Sequence, residues 1–416
     1  MRGSMEVSVF LLLLVSNIGL INADCMLSMK DDLTSNHPLI LSPNNPKWIS
    51  LDNSPKGYVT IGRHDSVRLA CASRDPSKKN AFAHFDSDVI TAKCKSGKDF
   101  EVNKKSYSFN DLQCEFPVEA TNVKTGEQCL GKDTELIKVG FKAGNEFIPE
   151  YLVCFDKKEK LTKYTEVTVP ASIDKAVTGP KEQKWLNADD FHKDINLDSI
   201  YKCETQKETF KRILNKNYFE NNRCCLEKGK LVSDNDMMFL PEQASTANYL
   251  NTVPQWSTCN RANWIEVEKR VKNLATSLKR PLTVWSGTYR SMRLTAKWGF
   301  SSKDMYLQYT DSSHKAVPIP LYLWKVVFDQ QSQKGVAIIE INNPHITLTD
   351  IKGLVLCDDI CHNVDWMNYL ERQTIIDGYI YCCDLNNFEF GLAFRNGSPF
   401  PKATGGILRD GSINKG

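Results

Sequence analysis

Glu227-Lys228-Gly229-Lys230-Leu231, then Asn251-Thr252-Val253-Pro254-Gln255, then Asn260-Arg261-Ala262-Asn263-Trp264 and Glu268 form the stretch on which the fold of this chain turns. Its last part reads as a helix: Trp264, Val267, Val271, Leu274 and Leu278 recur at three-and-four spacing, and Pro281 stops the run. On a wheel of about 100° per residue, Asn260 falls inside the apolar stripe and Glu268 at its edge. Two oxygen-bearing side chains a little over two turns apart thus lean toward one site beside the core. A hard cation such as Mg²⁺ takes few protein oxygens and lets water complete its octahedron, which makes Asn260 and Glu268 candidate ligands. In the competing reading Asn260 is a cap-like first-turn residue and Glu268 pairs with Lys272 on the surface.

Strands follow the helix. Leu282-Thr283-Val284-Trp285, Leu323-Trp324-Lys325-Val326-Val327-Phe328 and Val336-Ala337-Ile338-Ile339-Glu340-Ile341 are rich in β-branched and aromatic residues, so residues 185–395 read as an α+β domain. Upstream, residues 24–160 carry short β-rich runs such as Tyr58-Val59-Thr60-Ile61 and Ile137-Lys138-Val139-Gly140-Phe141, punctuated by six cysteines. They predict a small disulfide-rich β domain. Residues 161–184 hold Pro170, Gly179 and Pro180 and read as a linker; residues 396–416 read as a flexible tail, with Asn396-Gly397-Ser398 a glycosylation triplet.

Arg2, the apolar run Val7–Val15 and the small-residue stop Ile21-Asn22-Ala23 predict a secretory signal peptide over residues 1–23. A membrane anchor is the competing reading, but the run falls short of the roughly 18 to 20 apolar residues that span a bilayer. All fourteen cysteines lie beyond it, an even number that favours disulfides in a secreted chain. The adjacent pairs Cys224-Cys225 and Cys382-Cys383 predict four different partners, and no paired C-x-x-C or histidine spacing favours zinc. Composition excludes less. A hydrophobic fraction of 41% argues against a disordered chain, and 53 basic against 50 acidic residues point to no partner by net charge alone.

The order and spacing of the quoted motifs resemble the DNA/RNA non-specific endonuclease family, with Glu227-Lys228-Gly229-Lys230 in the place of that family's Asp-Arg-Gly-His motif and Asp236 following. Trp285-Ser286-Gly287-Thr288-Tyr289, Asn342-Asn343-Pro344-His345 and Cys357-Asp358-Asp359-Ile360-Cys361 extend the resemblance to the family's secreted arthropod branch. The resemblance implies a ββα-metal, His-Me type fold. It makes Asn260 the Mg²⁺ ligand and Glu268 the residue orienting metal-bound water. Asn251 supports the metal site, and Lys272 stands where the family has a phosphate-binding arginine. Lys228 keeps the motif arginine's charge and loses its bidentate fork.

Lys230 is the departure that matters. Phosphodiester hydrolysis needs a group that takes a proton from attacking water, which neutral imidazole does near pH 7. An unperturbed lysine, with a pKa of about 10.4, is fully protonated there. Strong burial or crowded positive charge is required to make it a base, and Glu227 and Glu268 push the other way. The same ammonium suits a phosphate, with Lys228, Arg261, Lys272, Arg290 and Arg293 as further candidate nucleic-acid contacts. An ordinary solvated basic surface is the competing reading, and His345 is the histidine that could approach the cleft as a substitute base.

Three functions are consistent with these residues. One is a secreted protein that binds double- and single-stranded DNA and RNA without sequence preference on a degenerate nuclease fold, with weak or absent cleavage. The second is a slow Mg²⁺-dependent endonuclease using a tuned Lys230 or metal-bound hydroxide. The third is a general polyanion or protein ligand. The resemblance places the compartment in saliva.

Overall fold

The computed structural model describes residues 24–75, 79–179, 184–188, 190–193, 195–219, 225–297, 299, 301–309, 315–368, 370, 373–392 and 398–409. The expected signal peptide, Cys224 and Asn396 lie outside the described residues. Contacts divide the chain into two units, one ending at Val118 and one beginning at Glu119.

In the first unit, Leu39–Leu41, Ser66–Ala70, Val89–Ser96, Asp99–Val102 and Lys105–Ser108 form a five-stranded sheet, and Cys25–Ser28 pairs with Tyr58–Ile61. Alternation does the work of burial. Ile90, Ala92 and Cys94 point inward along Val89–Ser96 while Thr91 and Lys93 face out. The disulfides Cys25–Cys94 and Cys71–Cys114 tie this small core.

The second unit corrects two expected boundaries. Thr134–Ala143 and Glu146–Asp156 are not part of a separate β domain, and Leu161–Val169 is not linker. They continue a nine-stranded sheet whose order runs Tyr379–Asp384, Lys334–Ile341, Pro320–Asp329, Leu282–Ser291, Leu161–Val169, Glu146–Asp156, Thr134–Ala143 and Thr121–Lys124, with Gly406–Ile407 beside Lys334–Ile341. Leu161–Val169 joins the sheet by pairing with Leu282–Ser291, more than a hundred residues downstream. Local periodicity announces a strand but not its partner, so the sequence placed these strands with their neighbours in the chain. The tail is corrected too. Phe400, Ala403 and Leu408 are buried, the first two against Trp285, Trp324 and Phe388.

Disulfides Cys129–Cys154, Cys203–Cys225, Cys357–Cys383 and Cys361–Cys382 belong to this unit, so Cys225, Cys382 and Cys383 each reach a different partner, as expected. No helix among the described residues is long and apolar enough to cross a membrane.

The two faces of Pro320–Asp329 assign two different tasks. Tyr322, Trp324, Val326 and Phe328 enter the main core. Leu323 joins Leu161, Leu231, Val253 and Trp264 in a second cluster, and Lys325 shares its face. That cluster holds a ββα unit on the sheet: strand Leu226–Lys230, strand Thr252–Trp256, and a helix that starts at Ser257 and runs to Leu278. Trp264, Val267, Val271 and Leu274 are its buried stripe, as their spacing predicts.

Candidate nucleic-acid site

The motif strand and its partner are antiparallel, with Glu227 opposite Gln255 and Lys230 opposite Thr252. Gly229 is required here because Gln255 crosses over it. A Cβ on Gly229 would sit 2.5 Å from Gln255 Oε1 and 2.8 Å from its Cβ. Gln255 cannot swing aside easily, since its Nε2 donates to the buried Glu340 carboxyl at 2.6 Å. Gly229→Ala is therefore expected to cost about 1–3 kcal/mol by overpacking. Urea unfolding measures this, and an unchanged midpoint would mean the hairpin yields.

Strand and helix run side by side in the same direction. At the first end, Asn260 Nδ2 donates to Glu227 Oε2 at 3.2 Å, and the Arg261 guanidinium forks onto the same carboxylate. Asn260 opens a π-helical turn, Asn260–Trp264. This departs from a uniform α-helical wheel and leaves Asn260 half-buried rather than inside the apolar stripe. About 12 Å further along the axis, Ser233 Oγ donates to Glu268 Oε2 at 2.8 Å. Glu268 is thus held by the loop after the motif strand, and the surface pair with Lys272 is not what fixes it.

Lys230 lies between these ends. Its Nζ donates to Thr246 Oγ1 at 3.1 Å and stands 3.9 Å from Asp234 Oδ2. Burial lowers its pKa, while Asp234 and Glu268 oppose that shift. Beneath it, the fully buried Lys325 donates to Ser286 Oγ at 2.7 Å and to the Leu231 carbonyl at 3.3 Å. Burial pushes Glu268 up to about 7, against the pull of Lys325. Asp236 is also raised by burial, with Lys325 and Lys272 opposing. The result is an interlocked group of carboxyls and ammoniums below the motif.

Asn251 is a scaffold for this group. Its Oδ1 accepts from Val232 N at 2.8 Å, and its Nδ2 donates to the carbonyls of Val232 and Thr246 at 2.8 and 2.9 Å. One amide therefore fixes both the end of the motif strand and the segment that carries the Lys230 partner. Lys228 is enclosed elsewhere. Its ammonium lies 3.0 Å from Asp198 and 4.7 and 4.6 Å over the Trp185 and Tyr249 rings, so its charge is already matched. Arg261 keeps three quarters of its side chain exposed despite its fork on Glu227.

The profile described as "DNA/RNA non-specific endonuclease" matches residues 132–388, more than half of the chain. The chain belongs to this endonuclease family. A salivary endonuclease of Lutzomyia longipalpis is 28% identical over 88% of this chain and 82% of its own length. Salivary protein Tsal1 of Glossina morsitans morsitans is 26% identical over 89% of this chain and 91% of its own. The secreted arthropod branch is the one expected from the motifs. A chain of the solved EndoG/EndoGI complex aligns over 52% of this chain and 76% of its own, with a TM-score of 0.33 and 13% identity.

The endonuclease family is of a metal-dependent type, and the atom of this chain that would hold a divalent cation at the motif is the Asn260 amide oxygen, since its Nδ2 is turned to Glu227. The donor there is a neutral amide whose neighbouring carboxylate, Glu227, is neutralised by Arg261. An ammonium, Lys230, replaces the motif imidazole. Among the described residues, Asp359 with Cys361 and Cys382 is the one cluster of three potential Cys, His or carboxylate ligands, and those cysteines are bonded to each other.

His345 does not approach Lys230. Its ring packs against Trp256 at 4.8 Å and Tyr218 at 5.1 Å. Trp256 pairs with Leu226, four residues or about 13 Å along the strand from Lys230. Arg290 and Arg293 line a cleft together with His345 and Thr258 of the motif helix. Sequence reasoning missed Ser233, Thr246 and Lys325. Only Lys325 carried a signal, as a lysine inside an otherwise apolar strand run.

Proposed function

We propose that this endonuclease-family protein is secreted, in saliva as the names of its relatives suggest, and binds DNA and RNA without sequence preference. It grips phosphate at Lys230 and cuts weakly or not at all. The observation that carries this reading is the set of Lys230 partners. Thr246 Oγ1 accepts from its Nζ, and Asp234 and Glu268 favour its charged form. A lysine so placed offers a charge-assisted contact to a phosphate oxygen. Arg261 and Lys272, on the same helix, extend the attraction along a strand.

A slow Mg²⁺-dependent endonuclease remains the second reading, because burial moves the Lys230 pKa downward, the direction a general base requires. The test is retention of labelled duplex and single-stranded DNA and RNA in EDTA across a salt series, with cleavage scored after adding Mg²⁺. Retention without metal is expected to fall steeply with salt, and Lys230→Ala should weaken it and reduce the log–log salt slope by about one. Rapid cleavage by the unaltered protein, or retention indifferent to salt, would sink the proposal.

A further inference from the structure

The cleft that holds Arg290 and Arg293 has a volume of about 1150 Å³ and meets the motif helix at Thr258, two residues before Asn260. It is built for something smaller than a duplex. One wall carries the edge-to-face rings of Tyr218 and His345, with Trp256 buried behind His345. Tyr218 is fixed at its far end, where its hydroxyl donates to the Thr295 carbonyl at 2.6 Å. The His345 ring is exposed to the cleft, and partial enclosure there together with Lys216 lowers its pKa, so at neutral pH it is an uncharged ring rather than a cation.

The charge sits at the rim. Lys216 Nζ lies 4.6 Å over the Tyr218 ring, and the Arg290 guanidinium 5.1 Å over the Tyr289 ring. Arg290 takes a left-handed backbone conformation, φ 55°, which a non-glycine residue holds at a cost. Arg293 is partly matched by Asp304 at 3.4 Å. Asp350 and Asp377 also line the cleft. With Arg293 drawn to Asp304, Arg290 and Lys216 are the cations left at the rim, enough for one phosphate rather than a run of them. On the inner side, Thr258 Oγ1 is buried without a hydrogen-bond partner among the described residues. A buried hydroxyl in this state favours a ligand that carries polar groups.

We propose that this cleft takes one unstacked nucleotide of a bound strand, its base against the Tyr218–His345 wall and its phosphate at Arg290 and Lys216. Aromatic faces accept any base, so such a subsite adds affinity without adding sequence preference. It lets the protein prefer single strands, frayed ends and overhangs over blunt duplex. The inference rests on the nucleic-acid-binding reading above and adds a second point of attachment to it.

The test compares a labelled blunt duplex with the same duplex carrying short single-stranded overhangs, in EDTA, with adenosine 5′-monophosphate as competitor. Unaltered protein is expected to bind the overhang form about tenfold more tightly, in the range that stacking one base supplies. The monophosphate should abolish that preference. Arg290→Gly relieves the left-handed backbone and so keeps the fold, and it should bring the ratio to about one. Lys230→Ala should weaken both forms and leave the ratio intact. Equal affinities in the unaltered protein, or a ratio that survives Arg290→Gly, overturns the proposal. Binding of the monophosphate alone, lost in Arg290→Gly and with no retention of polymer, would keep the cleft and sink the nucleic-acid-binding reading.

Discussion

Lys230→His is expected to raise phosphodiester cleavage by about 10² or more when Mg²⁺ is supplied, the typical worth of a positioned general base. Two changes act together. The substitution removes a permanent cation from the centre of the motif, and it supplies a ring that is largely neutral near pH 7. Thr246 Oγ1, now 3.1 Å from Lys230 Nζ, is placed to hold one ring nitrogen, while Asp234 and Glu268 shift the ring toward its protonated form. Burial, the larger effect at this position, outweighs them, so the pH profile of cleavage should rise through a value below the usual histidine pKa. Lys230→Gln separates the two changes: it loses the charge without gaining a base, so retention should weaken with no new cutting. If the histidine variant stays silent while still folded, the donor set around Asn260 rather than the missing base limits cleavage. If the unaltered protein already cuts as fast, the binding reading is wrong.

The ββα unit was legible in the sequence because its signals are local. The stripe from Trp264 to Leu274 and the stop at Pro281 define a helix by spacing alone, and the ordered motifs around it carry the family. What the sequence did not convey depends on pairing across long separations. Leu161–Val169 pairs both with its neighbour Glu146–Asp156 and with Leu282–Ser291 far downstream, and only the second pairing ties it to the sheet under the motif. Phe400 read as tail because nothing near it shows the aromatic core that receives it. At the site, residue types announced Lys230, Asn260 and Glu268. Their partners were hidden, since Ser233 and Thr246 are ordinary hydroxyls until the fold sets them against a carboxyl and an ammonium. Lys228 shows the converse. Its position in the motif suggested a phosphate contact, and only the structure reveals the aromatic box and Asp198 that enclose it.

Lys325→Met should be the most destabilising single change under the motif, and its cost should depend on pH. Lys325 is fully buried, tied to Ser286 and the Leu231 carbonyl, and its ammonium lies 5.7 Å over the Trp264 ring. It is also the cation whose charge draws down the pKa values of Glu268 and Asp236. Removing one partner of a buried charged group costs about 3–5 kcal/mol, because the other is left uncompensated. For Glu268 the sign follows from linkage. Its folded value of about 7 lies above the unfolded carboxyl value, so the folded state binds the extra proton in between. Its contribution to stability therefore falls as pH rises from about 4.3 to about 7. Without Lys325 the folded value moves higher and the fall continues to higher pH. Urea unfolding should accordingly show a larger loss near about pH 8, where Glu268 must be ionised or hold its proton at a cost, than near about pH 5, where it is already neutral. Adding Glu268→Gln to Lys325→Met should recover much of the loss at the higher pH, as a double-mutant cycle would show. An equal loss at both values, with no recovery in the double variant, would mean that Lys325 stabilises through packing and its hydroxyl and carbonyl bonds, and that the carboxyls beneath Lys230 are balanced by something else.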